Sequence, residues 1–168
     1  MKKTFAGFVA VALLVMIGCN AAADAQTFSK IIGGVIAIAQ SEEPALPPAD
    51  AAVLTPWVNL AQNLQGQLNT CISSAVSAGS KSASFVACFN TFAAGVASPA
   101  ELAALHVLSP TSQGKVQLYV TAIIVGVNAA LIAFKGTAVP SPVIPGNVPA
   151  TATELRQEFP QIAAVYGY

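Results

Sequence analysis

Cysteine, histidine and carboxylate side chains carry most enzyme chemistry. This 168-residue chain has few of them: Cys19, Cys71 and Cys88, the lone His106, and seven Asp and Glu. A Ser-His-Asp or Cys-His nucleophile system would have to use His106. That residue closes the short apolar stretch Ala103-Ala104-Leu105-His106-Val107-Leu108, and no Gly-x-Ser-x-Gly turn accompanies it. A histidine so placed is expected to bond a helix-end carbonyl. Glu154 and Glu158 share one helix face and flank Arg156, but no histidine stands near them to complete a metal set, so a solvated face is expected. There is no glycine-rich phosphate loop, no HExxH pair and no calcium loop. Seven Lys and Arg balance seven Asp and Glu, so there is no basic field to hold a phosphate backbone, and the few aromatic residues do not interleave with basic ones. The expectation is a chain that is not an enzyme, with no catalytic residue, metal, cofactor or nucleic-acid partner.

The cysteines point to a compartment. Met1-Lys2-Lys3 is a short positive segment, Phe5 to Ile17 is a thirteen-residue run without charge, and small residues follow at Gly18, Ala21, Ala22, Ala23 and Ala25. This is the layout of a secretory signal, with an apolar run too short for a comfortable membrane span. Two processing routes are open. Ala23-Asp24-Ala25 offers an A-x-A site for ordinary signal peptidase. Met16-Ile17-Gly18-Cys19 resembles the lipobox of bacterial lipoproteins, in which a small residue precedes a cysteine at the end of the apolar run. The resemblance covers only this N-terminal signal, with Met16 where leucine is usual. It implies that Cys19 is the lipidation site and that membrane lipid is a partner. Either route leaves Cys71 and Cys88 as an even pair in an oxidising compartment, where a disulfide is expected. Cleavage before Cys19 also removes Lys2 and Lys3, leaving five basic residues against seven acidic ones, a net charge of −2 that is too small to steer a partner.

The elements that must position these residues read as helices. With 55% hydrophobic and 8% charged residues, the composition excludes a disordered tail, a coiled coil and a collagen-like fibre. Leu54, Trp57, Ala61, Leu64, Leu68, Cys71, Ala75 and Ala78 step by three and four along one seam, while Asn59, Gln62, Asn63, Gln65, Gln67 and Asn69 supply a polar face made of amides rather than charges. The start of this helix is placed either at Asp50 as the capping residue or at Thr55 with Pro56 in the first helical position. A second helix, about 82–97, stacks Phe85, Cys88, Phe89, Phe92 and Val96 on one face. Ser77-Ala78-Gly79-Ser80 forms the turn between them and brings Cys71 and Cys88 level, so the expected bridge staples a helical hairpin. Ser98-Pro99-Ala100-Glu101 and Thr151-Ala152-Thr153-Glu154 are helix starts of the capping-box kind, and Ser109-Pro110 opens a long helix to Phe134 that stops near Gly136.

Breaks fall at 42–48, read as an extended connector, and at 138–150, where Pro140, Pro142, Pro145, Pro149 and Gly146 predict a polyproline-like strap. Val116 to Phe134 is charge-free and long enough to cross a bilayer, yet Gln117, Thr121 and Asn128 lie along one stripe, as the central helix of a bundle would need for a buried hydrogen-bond partner. Phe28 to Ala39 reads as a further core helix, or as a segment lying on a membrane, with a strand over the β-branched run Ile31 to Ala39 as the lesser alternative.

The resulting organisation is a signal peptide at 1–18, alternatively 1–25, then an anchor, apolar segment and connector at 19–49, and a helical domain at 50–168. The fold class is all-α: a small helical bundle with a disulfide-linked hairpin and a proline-rich C-terminal strap. Phe85, Phe89, Phe92, Trp57, Leu64, Leu68, Leu118, Ile124, Leu131 and Phe134 are the core candidates. The functional expectation is an exported, lipid-anchored protein of the bacterial cell envelope that works through contact with an envelope protein partner. The alternatives are a soluble secreted or periplasmic form, a carrier of an apolar ligand or lipid, and a membrane-embedded protein using the 116–134 helix.

Overall fold

The computed structural model describes residues 21–79, 82–148, 150–160 and 162, and among them there are helices, turns and extended stretches but no strand. Helix α1 spans Ala21–Glu42 and a short 3-10 turn follows at Glu43–Ala45. Helix α2 spans Pro48–Ser77 and α3 spans Ser82–Val96. Helix α4, Pro99–Ala104, is continued by a 3-10 turn at Leu105–Val107. Helix α5 spans Pro110–Ala133 and α6 spans Ala152–Glu158. The chain is an all-α bundle, as expected, and the 31–39 run is helical although rich in β-branched residues. That segment belongs to the core of the bundle: Ala25, Phe28, Ile32, Val35, Ile36 and Ala39 are buried on α1.

Helix α2 begins earlier than either sequence expectation. Pro47 is extended and Pro48 takes the first helical position, where its missing amide costs nothing. Pro56 therefore lies inside the helix, on its exposed side, and Asp50 sits in the first turn without capping its own helix. The connector before it is shorter than an extended reading of 42–48 implies. Leu46 N–H donates to the Glu43 carbonyl at 3.1 Å, closing a tight turn, and only Leu46 and Pro47 are extended.

The α2 seam also shifts. Leu54, Trp57, Ala61, Leu68 and Ala75 are buried as the spacing predicts, but Cys71 and Ala78 are exposed, Leu64 is half-buried, and Ile72 takes the inner position. A straight helix turns about 20° per heptad away from a strict seven-residue repeat, so a seam drawn at alternating threes and fours walks off the core by the third heptad. On α5, Leu118 is likewise half-buried, while Ile124, Leu131 and Phe134 are inside.

Packing centres on α5, from which the side chains of Val116, Gln117, Tyr119 to Asn128, Ala130 and Leu131 are all removed from solvent. The helix is long and apolar enough to cross a membrane, as is the 82–107 stretch, yet here α1 and α3 cover it. Phe134 ends it, with the rings of Phe85, Phe89 and Phe28 at centroid distances of 5.3, 6.1 and 6.3 Å. The α2–α3 hairpin closes on itself through two further contacts. Trp57 Nε1–H donates to the Val96 carbonyl at 3.4 Å, and Gly95 lets α3 approach α2 so closely that a Cβ there would stand 2.6 Å from Leu64.

The chain reverses after α5 through a left-handed residue. Gly136 N–H donates to the Leu131 carbonyl at 2.7 Å and Lys135 N–H to that of Ile132 at 3.0 Å, the pattern of a helix cap that favours glycine in the left-handed position. Here that position is held by Lys135, with φ of 61°. The glycine is used one residue later, because a Cβ on Gly136 would lie 3.0 Å from both Val86 methyls and 3.2 Å from the Leu131 carbonyl oxygen. Lys135→Gly should therefore stabilise the fold by about 1 kcal/mol, and Gly136→Ala should destabilise it. Urea unfolding with an unchanged slope is the check, and a Lys135→Gly variant no more stable than the parent would remove the assignment of strain.

Candidate functional site

The residues singled out for chemistry in the sequence are placed as follows. Cys71 and Cys88, 17 residues apart, are bridged with a Cα–Cα distance of 5.8 Å. Cys88 is buried and Cys71 is exposed, so the bridge runs from the outer surface of α2 into the core face of α3. Closing a loop of that length contributes about 3 kcal/mol. His106 is exposed and its Nδ1 lies 2.8 Å from the Ala103 carbonyl oxygen, a helix-end contact of the kind expected. Glu154 closes a capping box: Thr151 N–H donates to its carboxylate at 2.7 Å and its own N–H donates to the Thr151 hydroxyl. The Thr151 amide, with its hydroxyl, holds the Glu154 carboxyl below its usual range. Cys19 lies outside the described residues. Among those described, no three His, Cys, Asp or Glu side chains stand close enough together to hold a metal ion.

Three polar arrangements are present whose partners spacing alone did not give. The first is at the start of α5. Asp50, buried on the first turn of α2, accepts from the Ser109 amide at 3.1 Å, the Ser109 hydroxyl at 2.5 Å and the Ser112 hydroxyl at 2.6 Å. It caps α5 across space, supplying the anion that the N-terminus of this helix lacks in its own sequence. The signal was available in part. Glu101 and Glu154 stand three residues after the caps Ser98 and Thr151, whereas the residue three after Ser109 is Ser112.

The second arrangement joins α1 to α5. The Tyr119 hydroxyl donates to Glu42 at 2.6 Å and Lys115 Nζ approaches the same oxygen at 3.2 Å. The Tyr119 hydrogen bond, helped by Lys115, holds Glu42 below the usual carboxylate range, and burial together with the Glu42 charge pushes the Tyr119 hydroxyl up. Thr55 donates to Glu43 one residue further on, tying the turn to α2.

The third is the amide stripe of α5. Asn128 donates to the Val139 carbonyl at 2.9 Å and accepts from the Val139 amide at 2.8 Å. Gln117 donates to the Pro142 carbonyl at 3.0 Å and accepts from the Ile144 amide at 2.8 Å, and its amide also meets the Thr121 hydroxyl at 3.0 Å. Gln117 and Asn128, eleven residues apart on a helix, are separated by about 16 Å along the axis at 1.5 Å per residue. Val139 and Ile144, five apart in an extended segment, span about the same at 3.1 Å per residue. The match lays the proline strap antiparallel along α5. The polar stripe thus has a partner, and the partner is the chain's own backbone.

Part of the amide face of α2 packs on α1, where Gln62 donates to Gln40 and Asn69 accepts from the buried Ser29 hydroxyl. Asn59, Asn63 and Gln67 are exposed, and an open hollow further along the helix is lined by Asn69, Thr70, Ser73, Ser74, Ser77 and Ala78 beside the disulfide. Nothing in that lining is charged or nucleophilically activated. It offers hydroxyl and amide groups for contact.

Two outcomes check these assignments. Asn128→Ala should cost about 1–2 kcal/mol and accelerate proteolytic cleavage within 138–150, because two backbone groups of Val139 lose their partner; cleavage at the parent rate would disconnect the stripe from the strap. The Ser109 and Ser112 hydroxyls hold the Asp50 carboxyl below its ordinary value. Its contribution is therefore complete above the usual carboxylate range, about pH 4, and is lost as pH falls through the depressed value. Asp50→Asn should lower the melting temperature at pH 7 and flatten the fall in stability below pH 4, as read from thermal melts between pH 7 and pH 3. Compared with protein-family models, curated proteins and solved structures, the chain matches none of them.

Proposed function

We propose that this chain is an exported, lipid-anchored protein of the bacterial cell envelope that is not an enzyme and acts by contact with a protein partner. The observation that carries this reading is the position of Cys19, in Met16-Ile17-Gly18-Cys19, at the end of a charge-free run that follows Lys2-Lys3. Helix α1 supports the choice of Cys19 over the later cleavage site. It is helical from Ala21, and Ala25 within it is fully buried. A mature chain starting at Cys19 keeps this first turn in the bundle, whereas one starting at Gln26 would leave the place of Ala25 unfilled. The disulfide fits an oxidising compartment.

Contact rather than catalysis is favoured by how the acidic groups are used. Asp50 caps α5, Glu42 binds Tyr119 and Lys115, and Glu154 caps α6. Contact rather than carriage of an apolar ligand is favoured by Phe134, whose ring fills the space between α5 and the phenylalanine face of α3. The surface offered to a partner is the uncharged face of α2 around Asn63, Thr70, Ser73 and Ser77, all exposed.

The test is the intact mass of the protein from its native host, with and without reductant. The expected result is a chain beginning at an acylated Cys19 whose mass rises by about 2 Da on reduction, and Cys19→Ser should abolish the acylated species and release the protein from the membrane fraction. An unlipidated chain beginning at Gln26 would overturn the anchored reading.

A further inference from the structure

The C-terminal arm, residues 138–162, is held in a way that does not require it to belong to the same molecule. Its strap is recognised through backbone atoms: the Val139 amide and carbonyl by Asn128, and the Pro142 carbonyl and Ile144 amide by Gln117. Beyond that, Ile144, Leu155, Phe159 and Ile162 are buried, and the Phe159 ring meets Tyr119 edge-on at 6.0 Å. Between this arm and the bundle runs a short connector. Phe134 is the last core residue of α5, and Lys135, Thr137 and Ala138 are exposed before Val139 is reached. The reversal that sends the arm back along its own helix depends on Lys135 in the left-handed conformation, which a lysine adopts at a cost. An open connector that carries the chain onward relieves that cost.

We propose that this chain forms a two-fold dimer with a second copy of itself by exchanging residues 138–162, so that each arm lies on the Gln117–Asn128 stripe of the other molecule. The contacts in the exchanged form are those of the monomer, and the interface is isologous, so it closes at two copies. The connector limits the geometry. Five residue steps from Phe134 to Val139 reach at most about 17 Å, so the partner's α5 lies beside that of the first molecule within that distance. For an unstrained connector, the tether holds the arm at an effective concentration on the order of 1 mM, and exchange becomes appreciable only near that concentration. Relief at both connectors shifts the balance about thirtyfold, which brings the dissociation constant to tens of micromolar.

The test refolds the full mature chain from urea at about 0.3 mM, with the disulfide intact, and measures species by size exclusion with light scattering, in parallel with Lys135→Gly. The parent is expected to be mainly dimer and Lys135→Gly mainly monomer, a difference of about thirtyfold in dissociation constant, although the variant is at least as stable. Equal mixing of ¹⁴N- and ¹⁵N-labelled chains before refolding, followed by carbodiimide cross-linking of the isolated dimer, identifies the exchanged element. About half of the cross-links between the arm carboxylates Glu154 or Glu158 and Lys115 should be of mixed isotope in the dimer, the share that random pairing of the two labels gives, and all should be of single isotope in the monomer. A parent that stays monomeric at 0.3 mM overturns the proposal. So does a dimer equally abundant in Lys135→Gly, or one whose arm cross-links are all of single isotope, since a dimer joined through another face would behave in that way.

Discussion

Helix α5 is surrounded, and most of the remaining structure follows from that one constraint. A helix with its side chains removed from solvent on nearly every side satisfies its own backbone internally, but Gln117, Thr121 and Asn128 along it carry amide and hydroxyl groups that cannot be left without partners. No helix packed against α5 supplies them. For Gln117 and Asn128 the strap does, with backbone groups that an extended proline-containing segment leaves free because it forms no internal hydrogen bonds, while Thr121 bonds Gln117 within α5. Proline therefore has a positive role in this part of the chain. It keeps 138–150 from becoming a helix that would consume the groups the stripe needs.

The same economy governs the few charged groups. Among the described residues there is one ion pair, Lys115 to Glu42, and it lies at the end of the bundle where α1 turns into α2 and α5 begins. Asp50 acts at the same end. Two of the acidic groups closest to that junction thus fix the start of the central helix relative to the helices that precede it in sequence. Coordination of separate helix ends is a task for which charge-assisted hydrogen bonds suit better than apolar packing, because they specify direction as well as proximity. At the other end the work is done by aromatic contact around Phe134 and by the disulfide.

How much of this was legible depended on whether the partner was local. The short-range features were: the caps at Ser98 and Thr151, the hairpin turn after Ser77, the level placement of Cys71 and Cys88, and the phenylalanine face of α3. The polar stripe and the strap were each visible as well, but their register was not, because the match of eleven helical residues to five extended ones emerges only when the two lie side by side. Asp50 shows the limit most clearly. Its type and position before an apolar run point to a cap, and it is one, but for a helix that begins 59 residues later. A sequence window contains no information about that distance. The slip from Cys71 to Ile72 in the α2 seam has a different origin, the mismatch between a 3.5-residue reading and a 3.6-residue helix.

Because the strap is read through its main chain, side-chain identity matters little along it: Ile144 is the buried side chain among its described residues, and Pro140, Ser141, Val143, Pro145 and Gly146 are exposed. Recognition of this kind is strong enough to order an extended segment and tolerant of what that segment carries. What then ties the right segment to the stripe is the connector, which raises its local concentration, and the apolar residues Leu155 and Phe159 that follow it. The connector is also where the backbone is least comfortable, since Gly136 is committed to the approach of Val86 and leaves Lys135 to make the turn. Close packing of α3 on the end of α5 thus sets the conformational cost at the base of the arm, and the half-buried contact of Gly136 with Val86 bears directly on how firmly the outermost element is retained.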